Sequence, residues 1–160
     1  MLWIRPWHLR WGATDAEVQR PLPGDELVPN PKLAATHVIT IRASAAEIWP
    51  WRVQMGQGRG GFYSYDWLEN LFGLDIHNAD RIIPGFQNLK VGDIIPMAPG
   101  GFGPPVVVLE PDRVLVLGGT LDTRTGRTVN VNDAMPGTFF RSSWVFFLDP
   151  VDERTTRLIE

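Results

Sequence analysis

The chain has 160 residues, of which 44% are hydrophobic and 21% charged, and its formal net charge at pH 7 is −3. This composition is typical of one folded domain with its own core, excludes disorder over the whole length, and offers no basic field to attract nucleic acid. The absence of cysteine excludes disulfides, thiolate metal sites and cysteine nucleophiles. The first residues are too short and too charged for a membrane span and lack the apolar core of a signal peptide, so we expect a cytoplasmic protein.

Residues 1–35 predict an arm outside the main domain. Its most unusual feature is three tryptophans at four-residue spacing, Trp3, Trp7 and Trp11. On a helix they would form one stripe, although Pro6 argues against a regular helix there. Such a stripe favours docking onto the chain's own domain or onto a partner, and contact with a membrane surface stays open as an alternative.

The rest of the arm predicts one short helix and then extended chain. Thr14 and Glu17 have the form of a capping box, so a short helix is expected near residues 15–20. Four prolines follow and favour an extended segment that lies over the domain: Pro21, Pro23, Pro29 and Pro31.

The main domain is predicted over residues 36–160. Residues 37–42 alternate with the period of a strand that has one buried face. Ser44 and Glu47 form a second capping box, which predicts a short helix that Pro50 should kink.

A glycine-rich loop, residues 56–61, separates this helix from another that is predicted over residues 64–73. Ser64 is expected to cap the second helix and Gly73 to lie just past its end. Its apolar face is expected to consist of Trp67, Leu68, Leu71 and Phe72.

The remainder of the chain has the pattern of antiparallel strands. Residues 106–109 and 114–117 predict a hairpin, and the polar residues 118–137 predict a long loop or an exposed hairpin. Residues 139–148 predict a long strand that is apolar on both faces near its end, so both sides should be covered there. Residues 156–159 begin a last strand. One strand, two short helices and a run of antiparallel strands together predict an α+β fold.

Three segments of the chain resemble bacterial proteins of the SRPBCC superfamily, also called START-like or polyketide cyclase/dehydrase. They are WPWRVQMGQGRGGFYSYDWLEN at residues 49–70, DIHNADRI at 75–82 and RWGATD at 10–15, and the resemblance covers most of residues 10–159. It implies a helix-grip fold, in which a curved antiparallel sheet with two short helices after its first strand grips a long C-terminal helix. A cavity between sheet and helices then takes a lipid, a sterol, a polyketide or another apolar molecule.

The end of the chain departs from this pattern. Glu160 falls inside the expected final strand, and no long amphipathic segment remains for the gripped helix. Trp144, Phe146 and Phe147 would then lie uncovered on the sheet, which soluble monomers tolerate poorly. We therefore interpret residues 36–160 as a START-like ligand-binding domain that is incomplete at its C-terminus.

The candidate ligand-binding residues are aromatic, with one cation. In the superfamily the second short helix closes one end of the cavity, so tyrosine hydroxyls there would orient a polar end of the ligand; plain packing explains the same residues equally well. Arg59 is the best candidate for meeting an anionic ligand group, although a loop arginine is usually solvated. The full candidate set is Trp51, Arg59, Tyr63, Tyr65, Trp67, Trp144 and Phe146.

Two further patterns receive a structural interpretation. The G-x-G-x-x-G of residues 56–61, with Asp80 about twenty residues on, is similar to a dinucleotide fingerprint, but no βαβ unit surrounds it. A structural turn is therefore favoured. Asp75, His77 and Asp80 form D-x-H-x-x-D, which matches no standard zinc spacing, so a hydrogen-bonded loop is favoured and neither a metal nor a cofactor is expected. His77 and Asp80 remain weak candidates for acid–base catalysis, provided that they face the cavity.

Three functions stay open. We favour binding of a small hydrophobic molecule, with catalysis disfavoured. The alternatives are a polyketide cyclase or aromatase that uses the same cavity with one acid–base group, and a partner-binding or membrane-peripheral module that uses the tryptophan-rich arm. A cavity-facing acid–base group with a perturbed pKa would favour the enzyme, whereas an exposed stripe of Trp3, Trp7 and Trp11 would favour the module. The fold alone does not fix the function.

Overall fold

In the computed structural model, which describes residues 7–125, 128–129 and 134–160, six antiparallel strands form one curved sheet that does not close. The sheet order is β1-β6-β5-β3-β2, and β4 pairs with β3. The strands are β1 (Val38–Ile41), β2 (Val106–Glu110), β3 (Val114–Asp122), β4 (Thr128–Val129), β5 (Phe139–Asp152) and β6 (Thr155–Ile159). The predicted α+β class is confirmed.

The helices are short. They are α1 (Asp15–Gln19), α2 (Ala45–Val53) and α3 (Asp66–Leu71), with two 3₁₀ turns at Asp25–Leu27 and Pro84–Phe86. Among the described helices, none has the length and apolar character that would be needed to cross a membrane.

Both predicted capping boxes form. The Thr14 and Ser44 hydroxyls accept hydrogen bonds from the backbone N–H groups of Glu17 and Glu47, and each glutamate accepts one from the backbone of its cap residue. These reciprocal bonds fix where α1 and α2 begin. The helix α2 runs through Pro50 without ending there.

The start of α3 differs from the prediction. Tyr65, not Ser64, is the residue that precedes the helix, and it makes no side-chain cap. The Ser64 hydroxyl instead donates a hydrogen bond of 2.6 Å to the Glu69 carboxylate, and hydrogen bonds to a charged acceptor are among the stronger ones. The other end agrees with the prediction: Gly73 has φ +74° and its N–H bonds to Asn70.

The predicted strands appear with longer bounds. β2 and β3 form the expected hairpin, with Glu110 paired to Val114. β3 continues to Asp122 and pairs with β4, so the described part of the 118–137 segment is a hairpin rather than a long loop. β5 extends past the predicted strand end at residue 148 and pairs with both β3 and β6.

The sheet is covered on both sides. One core cluster lies on the side that faces α2, and its buried members include Ile48, Val53, Met55, Leu115, Leu117, Phe146 and Leu148. The cluster on the opposite side contains Val38, Val114, Val116, Val145, Phe147 and Ile159, with Ala13, Leu22 and Leu27 of the arm packed against it. The predicted cover on both faces of β5 near its end is confirmed for Phe146 and Phe147, which are buried, so these two do not form the uncovered patch that a missing helix would leave. Trp144 is half-buried.

The arm is attached to the sheet by Arg157 of β6. Its Nε and Nη2 atoms donate hydrogen bonds of 2.7 Å each to the two carboxylate oxygens of Glu17. The same guanidinium donates to Thr40 Oγ1 at 2.9 Å and to the carbonyl of Gly12 at 3.1 Å. The hydrogen bond from Arg157, followed by those from Thr14, lowers the pKa of Glu17 from 4.5 to about 2.

Candidate functional site

Two adjoining cavities lie on the side of the sheet that faces α2. The first has a volume of about 410 Å³ and the second about 360 Å³. Met97 and Trp144 line both, so the two cavities adjoin at these residues, and we call the two together the groove. Each volume lies within the roughly 300–1,000 Å³ that is usual for small-molecule sites.

The first cavity has an aromatic wall. The rings of Phe62 and Trp144 are stacked at 6.3 Å, and Trp144 contacts Phe146 at 4.7 Å between ring centroids. Five residues that carry polar side-chain groups line the same cavity: Arg52, Tyr63, Ser64, Glu69 and Glu160.

The second cavity is lined mainly by apolar side chains. Leu117 and Leu121 of β3 and Phe140 of β5 form its sheet side, and Phe102 and Pro104 come from the loop before β2. Phe140 is 59% exposed and Phe102 is 50% exposed. The groove therefore has a polar end in the first cavity and an apolar end in the second.

Arg52 is the cation of the polar end. Its side chain is 14% exposed, and its Nη1 atom lies 4.0 Å from Glu160 Oε1. The guanidinium carbon lies over the rings of Tyr63 at 5.8 Å and Phe146 at 5.6 Å. Burial lowers the pKa of Arg52, an effect that Glu160 and then Tyr63 oppose. An arginine nevertheless keeps its charge in proteins.

Glu160 is the acid beside it. Its backbone N–H and carbonyl exchange hydrogen bonds of 2.8 Å with His37, which continues the pairing of β1 with β6. Burial raises the pKa of its carboxyl group, and Arg52, then His37, then a hydrogen bond from Trp144 partly offset the effect. Glu160, which follows β6, therefore lies beside Arg52 of α2, the helix that follows β1.

Gln54 holds the wall of the first cavity in place. It is fully buried, and its side-chain N–H group donates to the Tyr63 hydroxyl at 2.6 Å and to the carbonyl of Arg81 at 3.1 Å. Its side-chain oxygen accepts from the Ile83 N–H at 2.9 Å and from Gln87 at 3.2 Å. One side chain thus joins three segments around the cavity.

The glycine-rich loop at residues 56–61 is a tight turn rather than a nucleotide cradle. Gly56 and Gly61 form an isolated antiparallel bridge. Asn78 accepts hydrogen bonds from the backbone N–H groups of Phe62 and Tyr63 at 3.1 and 2.8 Å, which fixes the chain just after the turn. No parallel strand pair accompanies this loop in the described sheet, so the structural interpretation of the motif is the one that fits.

Of the seven predicted ligand-binding residues, Tyr63, Trp144 and Phe146 line the first cavity. Trp51 packs edge-on against Tyr63, with ring centroids 5.6 Å apart. Tyr65 and Trp67 are 73% and 68% exposed and do not line either cavity.

Arg59 is engaged elsewhere. Its guanidinium donates to the carbonyls of Met55 at 2.9 Å, Val53 at 2.8 Å and Phe86 at 3.2 Å. It lies over the Phe86 ring at 4.8 Å and lines neither cavity. Its role in this geometry is to close the turn after α2.

The predicted catalytic candidates lie outside the groove. His77 and Asp80 are exposed and line neither cavity, and His77 Nε2 lies 3.0 Å from Asp75 Oδ1. Within the described ranges, no group of three His, Cys, Asp or Glu residues is arranged to hold a metal ion. In the arm, Trp7 and Trp11 are both exposed, and Trp3 lies outside the described residues.

Sequence reasoning missed Arg52 and Glu160. Arg52 follows the buried Ile48 by four residues on α2, so a cation on the buried face of a helix was the available signal. Glu160 carried no such signal, because it reaches the cavity only through the pairing of β6 with β1.

Comparison with known proteins identifies no relative of the chain: no family model matches it, and no curated protein or solved structure matches it either.

Proposed function

We propose that the chain binds a small hydrophobic molecule in the groove that the two adjoining cavities form. The observation that carries the proposal is the polarity of the groove: its charged residues all line the first cavity, whereas leucine, phenylalanine and proline predominate in the second beside a few hydroxyl groups. Small-molecule sites combine a mainly apolar wall with a few placed polar groups in this way. A bound ligand would cover the exposed apolar surface of Phe102 and Phe140.

A helix-grip domain of the SRPBCC superfamily is the architecture we propose with it. The order of β1, two short helices and then antiparallel strands supports this assignment. So does the position of the groove, which lies on the sheet side that α2 covers in part. In that architecture a gripped helix would cover the open side of the groove, with the ligand between helix and sheet.

An enzyme of the cyclase or aromatase type is the second candidate. Glu160, whose pKa burial raises, and the Tyr63 hydroxyl both line the first cavity. A titratable group with a perturbed pKa in a cleft is a candidate for acid–base work. His77 and Asp80 would take no part, because they lie outside the groove.

A partner-binding or membrane-peripheral module that docks through the tryptophan-rich arm is the third candidate function. The exposed rings of Trp7 and Trp11 support it, since amphipathic tryptophan side chains favour partner and membrane interfaces.

A pair of matched variants on β5 tests the binding function. Phe140→Glu places a charge in the apolar end of the groove, and Val151→Glu makes the same change outside it at nearly equal exposure, 59% against 61%. In titration calorimetry with decanol, Phe140→Glu should weaken binding at least about tenfold, because the buried tail would desolvate the charge. Val151→Glu should bind as the unchanged chain does. Equal affinities of the two variants would contradict the proposal.

A further inference from the structure

The Arg52–Glu160 pair at the polar end of the groove has hydrogen-bonding capacity left over. Its closest approach, 4.0 Å between Nη1 and Oε1, is too long for a hydrogen bond. The Nε atom of Arg52 is buried and has no hydrogen-bond partner among the described residues. The Arg52 guanidinium lies over the Tyr63 and Phe146 rings, and these cation–π contacts do not use its N–H groups as hydrogen-bond donors.

A buried guanidinium without good acceptors is costly. A charged group that leaves water loses hydration that only acceptors of comparable strength replace. Both Arg52 and Glu160 line the first cavity, so a ligand in the groove would meet a donor and an acceptor side by side.

The charge of the pair limits what the ligand can carry. Arg52 and Glu160 together are close to neutral when both are ionised. A carboxylate head would accept hydrogen bonds from Arg52 but would also meet the Glu160 carboxylate. Like charges in a partly buried site repel strongly. An uncharged head that has both an acceptor and a donor would satisfy both residues and leave the local charge unchanged.

We propose that the head group of the ligand is an uncharged group that accepts a hydrogen bond from Arg52 and donates one to Glu160, such as a carboxamide or a hydroxyl-bearing carbonyl. This inference rests on the proposed function, because it assigns the polar end of the same groove. Arg52 is then the residue that selects the head group, and the apolar cavity beyond Trp144 takes the tail.

Three probes with one tail and different heads test the inference. Decanamide has a neutral acceptor and donor, decanoate has a charged acceptor, and decanol has a single hydroxyl. The unchanged chain should bind decanamide about tenfold more tightly than decanol, because the amide meets Arg52 and Glu160 through separate atoms, whereas one hydroxyl oxygen has to serve both. It should bind decanoate more weakly than decanamide.

Three variants, one of them a control, sharpen the test. Arg52→Met keeps the length of the side chain and should bring decanamide within about threefold of decanol, whereas Arg42→Met, on an exposed residue outside both cavities, should leave the ratio unchanged. Glu160→Gln should invert the order of the two acyl probes, since decanoate would then meet Arg52 without the Glu160 charge beside it. The inverted affinities of decanoate and decanamide in Glu160→Gln are a readout that does not depend on whether Arg52→Met folds.

The outcomes separate the inference from the function it rests on. Binding of none of the three probes would overturn both. Binding of all three with equal affinity, or tighter binding of decanoate than of decanamide by the unchanged chain, would overturn the head-group inference and leave the groove as a site for apolar molecules. A preference for decanamide that disappears in Arg52→Met supports both.

Discussion

Arg157 of β6 and Glu17 of α1 are joined by two charge-assisted hydrogen bonds of 2.7 Å each. The two residues are 140 positions apart in the chain, and the contact attaches the N-terminal arm to the sheet side opposite the groove. The arm is therefore part of the folded structure, in which Ala13, Leu22 and Leu27 cover the core cluster on that side.

The stability of the chain should depend on pH through this pair. The Glu17 pKa is lowered from 4.5 to about 2, so its stabilising contribution is present above pH 4.5 and is lost as the pH falls towards 2. Glu17→Gln should lower the free energy of unfolding at pH 7 by about 1–2 kcal/mol, because one partner of a partly buried charged pair is removed. Denaturant unfolding at pH 7, 4 and 2.5 measures the difference, which should shrink with each step.

Asp15→Asn is the matched control for that experiment. Asp15 pairs with Arg10, but its side chain is 85% exposed, so the change should cost less than about 0.5 kcal/mol at any of these pH values. A Glu17→Gln difference that stays constant from pH 7 to 2.5 would contradict the assigned pairing.

Gln54 should be among the most sensitive positions of the chain. Gln54→Leu keeps the volume of the side chain but leaves the Tyr63 hydroxyl and the Ile83 N–H without their partner. We expect a loss of about 2–4 kcal/mol in the free energy of unfolding, since buried polar groups without partners carry their full desolvation cost. Gln57→Ala, which removes one hydrogen bond of 3.2 Å to the Asp75 carbonyl, should cost less than about 1 kcal/mol. Similar losses in the free energy of unfolding for Gln54→Leu and Gln57→Ala, measured by chemical denaturation, would refute the role of Gln54.

Two glycines of the same turn should respond differently to alanine. Gly61 has φ +73°, and a Cβ there would lie 2.5 Å from Asn78 Oδ1 and 2.8 Å from the His77 carbonyl oxygen. Gly58 has φ +69° with nothing within 4 Å. Gly58→Ala should therefore cost about 1–2 kcal/mol from backbone strain alone, whereas Gly61→Ala should cost clearly more because Asn78 must move. Thermal melts compare the two, and equal melting temperatures would contradict the packing of this loop.

The fold was predictable where the signals are local. The capping boxes at Thr14 and Ser44 depend on side chains three residues apart, and the β2–β3 hairpin depends on a short turn, so the sequence contains what is needed for both. The predicted cap at Ser64 was wrong because Tyr65 is the residue that precedes α3, and the Ser64 hydroxyl bonds to the Glu69 carboxylate. That contact depends on how α3 turns, which periodicity does not specify.

The candidate site was predictable only in part. Tyr63, Trp144 and Phe146 were expected at the cavity and line it, whereas Arg59 was expected to meet the ligand and bonds to backbone carbonyls instead. The polar end depends on contacts across the whole chain, since Arg52 meets Glu160 only after β6 pairs with β1. Residue chemistry suggests which side chains can bind a ligand, and long-range pairing decides which of them meet.

Native mass spectrometry of the chain, incubated with an apolar extract of its host cells and then repurified, tests the groove most directly. The account predicts one small apolar molecule per chain, retained by Val151→Glu and lost from Phe140→Glu, because only the second change places a charge in the groove. A chain that retains no apolar molecule from the extract, or that retains it equally in both variants, would contradict the account.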